Sequence, residues 1–127
     1  MKLAVLLLNW YQPEATIKCA AMLCAWQQIK PRIWIVDNGS RPAMETAALP
    51  PRAAISLLRS EVNRGFAGGN NIALADILNS ERDAVLLLNT DAQIQERDAM
   101  LLMEELAQDS KIGAAGPCIM ETTTNGR

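Results

Sequence analysis

The sequence predicts a single α/β domain with a mainly parallel sheet covered by helices on both faces. Three observations carry that prediction. Short apolar runs recur along the 127 residues, four of them nearly continuous in hydrophobicity, as strands buried on both faces are. Helical patterns fall between them, and the runs begin at intervals of about 22 to 30 residues, the spacing of βαβ units.

The candidate strands are Leu3–Leu8, Ile33–Val36, Ile55–Leu58, Val85–Leu88 and, less cleanly, Ile112–Cys118, each too short for a helix and bounded by turn residues. The first helix opens at Pro13, suited to a first helical position, with Glu14 complementing the positive helix end. Ile17, Ala20, Ala21 and Cys24 form its expected apolar side. Pro42, Pro50 and Pro51 leave room for only a short helix and a loop between the second and third strands. A further helix is expected from about Gly68 to Leu78, with Leu74, Ile77 and Leu78 inward. In the last, Ala99, Leu102, Met103 and Leu106 recur at i, i+3, i+4 and i+7. The segment from Glu121 to Arg127 has no apolar residue to dock it, so the chain is expected to end in a loop, as a shortened protein does.

Composition narrows the chemistry. Half the residues are hydrophobic and 20% are charged, which excludes disorder for most of the chain. Twelve basic and fourteen acidic residues give a net charge of −2, and without a basic cluster nucleic acid is not an expected partner. There is no histidine, which removes the Ser-His and Cys-His nucleophile pairs and histidine metal sites. Carboxylates or a metal must do any chemistry. Cys19, Cys24 and Cys118 lack CxxC spacing and read as buried thiols in a reducing compartment. The apolar start is interrupted at Asn9, too early for a signal peptide, and no stretch approaches the roughly twenty residues that span a bilayer. A cytoplasmic location is expected.

In an open α/β sheet, ligands bind beyond the carboxyl ends of the strands. The residues there are polar: Asn9-Trp10-Tyr11, then Asp37 to Ser40, then Asn63 to Asn71, then Asn89-Thr90-Asp91. Asp37 reads either as an acceptor for a base or ribose or as part of a turn. The glycine-rich stretch reads as a pyrophosphate cradle at a helix start or as a plain loop, and it matches neither GxGxxG nor GxxxxGK[ST]. Arg64 either neutralises phosphate or is solvated. Asp91 reads as a ligand of Mg²⁺ or Mn²⁺ shared with substrate phosphates, or as a turn or cap. Trp10 and Tyr11 either stack on a base or close the core.

Taken together, Val5–Trp10, Ile35–Ser40, Asn63–Asn71 and Leu86–Asp91 resemble in order and spacing the inverting GT-A nucleotide-sugar glycosyltransferases of family 2, most closely the rhamnosyltransferase-like branch. The resemblance runs from Leu3 to about Met120 and covers the donor-binding half of such an enzyme, with the acceptor-binding half absent. It implies a Rossmann-like three-layer sandwich, truncated, with residues 1–127 as the nucleotide-sugar binding domain. It further implies a donor site built from Asn9, Trp10, Asp37, Asn63, Arg64, Gly65, Gly69, Asn70, Asn89 and Asp91. Asn9 and Trp10 would lie at the nucleotide, Asp37 at the base, and Asp91 at the last acid of the family's Asp-x-Asp motif, binding a divalent metal, Mg²⁺ or Mn²⁺. Asn89 stands where many relatives have the first acid. No catalytic base is assigned, since the family's lies in the second half. The implied partners are a nucleotide-diphosphate sugar, dTDP-rhamnose by the nearest branch, and a glycan or lipid-linked acceptor in polysaccharide biosynthesis. Peripheral association of the full-length enzyme with the inner membrane face is a further implication.

Three other readings compete. A nicotinamide-dependent dehydrogenase needs a glycine-rich turn after the first strand, where Asn9 to Pro13 has no glycine. A receiver-type signalling domain needs an acidic pair there and a lysine after the fifth strand, and Asn9 and Pro117-Cys118 stand in those regions. A non-catalytic nucleotide-sugar binding module or remnant shares all the motifs and stays open.

Overall fold

A computed structural model describes residues 1–51 and 54–120. The elements run β1 (Leu3–Asn9), α1 (Pro13–Cys24), β2 (Arg32–Asn38), a single 3-10 turn (Thr46–Ala48), β3 (Ile55–Ser60), α2 (Gly65–Ile77), β4 (Ala84–Leu88) and α3 (Glu96–Gln108). The four strands form one parallel sheet in the order β3-β2-β1-β4. Right-handed crossovers explain the layers. The chain moves outward from β1 to β2 through α1, then returns past β1 to β4 through α2, so the two helices fall on opposite faces.

Side-chain alternation divides the core accordingly. Leu3, Val5, Leu7, Ile33 and Ile35 pack with Ala20 and Leu23 of α1 and Ala99 of α3. Ala4, Leu6, Trp34 and Val36 pack with Ala73 and Ile77 of α2 on the other face. Leu6, Leu7 and Ile35 are essentially sealed from solvent, each contributing about 1.5–3 kcal/mol of burial. The three-layer α/β sandwich is therefore as predicted.

Several details differ from the sequence-based expectation. Residues Ile112–Cys118 form no strand and are exposed. Gly113, Gly116 and Pro117 deprive the segment of β propensity and of a ladder donor. The inward face of α1 is Thr16, Cys19, Ala20 and Leu23, one position before the expected stripe, because the Thr16 hydroxyl is drawn in to Asn9. Cys24 and Cys118 are consequently exposed and only Cys19 is buried, its thiol pushed up to about 11 by desolvation. Helix α2 begins at Gly65 rather than Gly68, and Leu78 lies outside it, 81% exposed. Helix α3 matches its predicted stripe, although only Ala99 is fully buried. The expected terminal loop, Glu121 to Arg127, lies outside the described residues. No helix among the described residues is long and apolar enough to cross a membrane.

Candidate functional site

The strand order reverses at β1, which is flanked by β2 on one side and β4 on the other. Ligands in open α/β sheets lie at the carboxyl ends beside such a switch point. A buried polar knot, a second knot that reaches the surface and an exposed loop occupy that edge.

The first knot faces α1. Consecutive strand residues point to opposite faces, so Asn9 and Asp37, which are paired in register, turn towards α1 together. Asn9 Nδ2 donates to Asp37 Oδ1 at 3.2 Å and to Ser40 Oγ at 3.4 Å, and Thr16 Oγ1 donates to Asn9 Oδ1 at 2.9 Å. The Tyr11 amide donates to Ser40 Oγ at 2.8 Å, which holds Tyr11 at a positive φ of 54°. Asp37 also accepts from the Ser40 and Met44 amides, and Arg59 of β3 closes on its Oδ2 at 2.6 Å. Asp37 is 0% exposed. Burial alone raises its pKa, but the hydrogen bonds from Met44, Ser40 and Asn9 outweigh it and hold the carboxyl below the usual value. Asp37, expected at the base, has its carboxylate bonded to Asn9, Ser40, Met44 and Arg59.

The second knot faces α2. Asn38 Nδ2 donates to Asn63 Oδ1 and to the Gly65 carbonyl, while Asn38 Oδ1 accepts from the Arg64 amide at 2.9 Å. Asn63 Oδ1 also accepts from the Gly65 amide. These bonds fix the turn into α2, which Gly65 enters at φ 73°. Gly39 has φ 83°, and a Cβ there would stand 2.6 Å from the backbone of Val62 and Asn63. Gly69 lets α2 settle on β1 and β2, since its Cβ would meet Leu8 at 2.6 Å. Asn70 is buried and donates back to the Phe66 carbonyl. Arg64 itself makes no side-chain cap, so apart from the Gly65 amide, which Asn63 takes, the first-turn amides of α2 and its dipole lie at the carboxyl edge beside Arg64, whose Nε reaches Ser60.

The exposed part of the edge carries Trp10, 55% exposed and edge-on to Tyr11, together with Phe66, Asn89 and Asp91. A cavity of about 350 Å³ lies between α1 and the loop after β4, lined by Lys18, Met22, Thr90, Asp91 and Gln93 among others. A larger one of about 720 Å³ lies away from the edge, along the uncovered flank of β4. Among the described residues no three His, Cys, Asp or Glu side chains form a metal-holding group. Asp91 thus offers a single carboxylate, a donor set that suits a cation shared with a diphosphate and not a cage of protein ligands.

The structure brings Asn9 to Asp37, and Asn63, Arg64, Gly65 and Gly69 to Asn38, while Trp10, Asn89 and Asp91 stay at the solvent edge. Thr16, Asn38, Arg59 and Lys18 were not picked out from sequence. A signal for Asn38 existed: two adjacent polar residues ending a strand buried on both faces must serve opposite layers.

No family model and no curated protein matches this sequence. Solved structures do match the fold. The chain superposes on Staphylococcus aureus TarS, residues 1–349, with a TM-score of 0.55 and 20% identity, covering 84% of this chain and 33% of that one. The fold is shared with TarS. The same scores hold for TarS 1–349 in complex with UDP, and for a longer TarS structure of which this chain covers 20%. The chain thus spans about a third or less of the TarS chains it matches.

Proposed function

We propose that this chain is the donor-binding part of a nucleotide-sugar glycosyltransferase. The observation that carries the reading is the carboxyl edge of the β3-β2-β1-β4 sheet, which presents exposed Trp10 after β1, Arg64 and the α2 N-terminus after β3, and exposed Asp91 after β4. Such an edge suits a nucleoside diphosphate: an aromatic face for the base, cationic and amide groups for phosphate, and a carboxylate for a cation. A UDP complex of a protein with this fold supports the nucleotide class.

In this reading Trp10 stacks on the base, while Arg64 and the α2 amides take phosphate oxygens. Asn63, Gly65, Gly69 and Asn70 shape the turn that presents those amides, and Asn9 and Asp37 hold the surrounding loops without touching the ligand. Asn89 sets the turn through its carbonyl, which accepts from Ala92, and Asp91 supplies one ligand to Mg²⁺ or Mn²⁺. When bound, the cation offsets the charge of the departing diphosphate. We assign no catalytic base to this chain. The finer parts of the proposal are transfer with inversion, a dTDP-rhamnose donor, a glycan or lipid-linked acceptor, a cytoplasmic location and peripheral membrane attachment of a longer enzyme.

Calorimetric titration with UDP, dTDP and their sugar conjugates, with and without Mn²⁺, tests the reading. Saturable binding that Mn²⁺ strengthens and Asp91→Ala weakens is expected. Folded protein that binds none of them would overturn it.

A further inference from the structure

The seven residues 89–95 between β4 and α3 carry Thr90 and Asp91, one wall of the smaller cavity. Among the described residues, their hydrogen bonds are local: Ala92 to the Asn89 carbonyl, and Asp98 and Ala99 back to Gln95. Ile94 packs on the core, and among the described residues no hydrogen bond of the segment reaches β1, β2 or α1. The tie comes one residue later. Glu96, the first residue of α3, accepts three consecutive backbone amides: Gln28 and Ile29 on Oε1, both at 2.6 Å, and Gln27 on Oε2 at 3.1 Å. Three successive amides turned to one point form an anion nest, and here a side chain of the same protein fills it.

Gln27 to Ile29 lie just beyond α1, and α1 forms the opposite wall of the cavity through Ala15, Lys18, Cys19 and Met22. The clasp therefore joins the two elements between which Asp91 sits. We propose that Glu96 is a positioning residue, whose hold on residues 27–29 fixes the Asp91 loop against α1 and sets the width of the cation–diphosphate site. This rests on the reading of Asp91 given above. A carboxylate suits the role because it only accepts, whereas an amide side chain in its place turns an NH₂ towards one of the three donors.

Two readouts on Glu96→Gln test the clasp: hydrogen exchange of the whole chain, and titration of UDP with and without Mg²⁺. Exchange in residues 27–29 and 89–95 is expected to quicken about tenfold, with α2 unchanged, as local release without global unfolding produces. The gain in UDP affinity that Mg²⁺ provides is expected to fall about tenfold, with metal-free affinity unchanged; a purely structural staple on α3 would alter neither. Unchanged exchange in 89–95 overturns the inference whatever the nucleotide does. Wild-type protein that binds no UDP overturns the proposed function instead, and the exchange result still decides whether Glu96 holds the loop. If circular dichroism shows Glu96→Gln unfolded, Glu96→Asp, which keeps the charge on a shorter arm, takes its place with a smaller expected effect in the same direction.

Discussion

The two sides of β1 are built differently. Towards β2 and β3, the carboxyl ends are locked by Asn9, Asp37, Asn38, Ser40 and Arg59, all hydrogen-bonded and nearly all buried. Towards β4, the strand pairs only with β1 among the described residues, Leu87 is 50% exposed, and the following loop keeps Asn89 and Asp91 in solvent. Polar residues at a strand end thus stand in two different settings: towards β2 they are bonded within the fold, and after β4 they face solvent. An unpaired buried carboxylate is costly, so the locked side satisfies Asp37 several times over.

The largest effect should come from breaking the locked side. Asp37→Ala leaves Arg59 with only the exposed Glu61 as its partner and opens the loop to Met44, and a loss of about 4 kcal/mol in urea unfolding is expected, against less than about 0.5 kcal/mol for Asp91→Ala. Because the folded pKa of Asp37 is lowered, its contribution is present above the unfolded carboxylate value of about 3.9 and is lost as pH falls through the folded value. Asp37→Asn, which cannot ionise, should flatten that part of the acid limb in pH-dependent unfolding. Gly39→Ala comes next, at about 3 kcal/mol, from its positive φ and the backbone of Val62 and Asn63. On the open side the order inverts: Asp91→Ala should weaken metal-dependent nucleotide binding about tenfold by calorimetry while thermal unfolding stays in place. The smallest effect is expected for Leu87→Thr, within about 0.5 kcal/mol of wild type, because its side chain is half in water.

How far the sequence reveals this contrast follows from the range of the interactions involved. The four strands are legible because burial on both faces leaves continuous apolar runs, and the strand-end rule marks the site edge from topology alone. Ile112–Cys118 misleads because its apolar residues outnumber its breakers, yet glycine and proline decide its conformation. The glycines of 65–69 are legible in part. Gly68 and Gly69 are helical as expected, but the helix already starts at Gly65, and Gly69 is required by packing on Leu8 and not by a turn. The burial of Asp37 depends on Arg59, which lies 22 residues away and meets it only after β3 pairs with β2. The inward stripe of α1 turns on one hydroxyl, Thr16, that apolar periodicity does not weigh.

The central claim is that ligand contacts fall on the open parts of the edge and not on the locked knot. Mapping amide shifts by NMR as UDP and Mg²⁺ are added tests it most directly. The predicted result is saturable change at Trp10, at Gly65 to Gly68 and at Thr90 to Ala92, with the Asp37 side chain still bonded to Arg59. Changes confined to the β4 flank and residues 112–117, or none in folded protein, would contradict it.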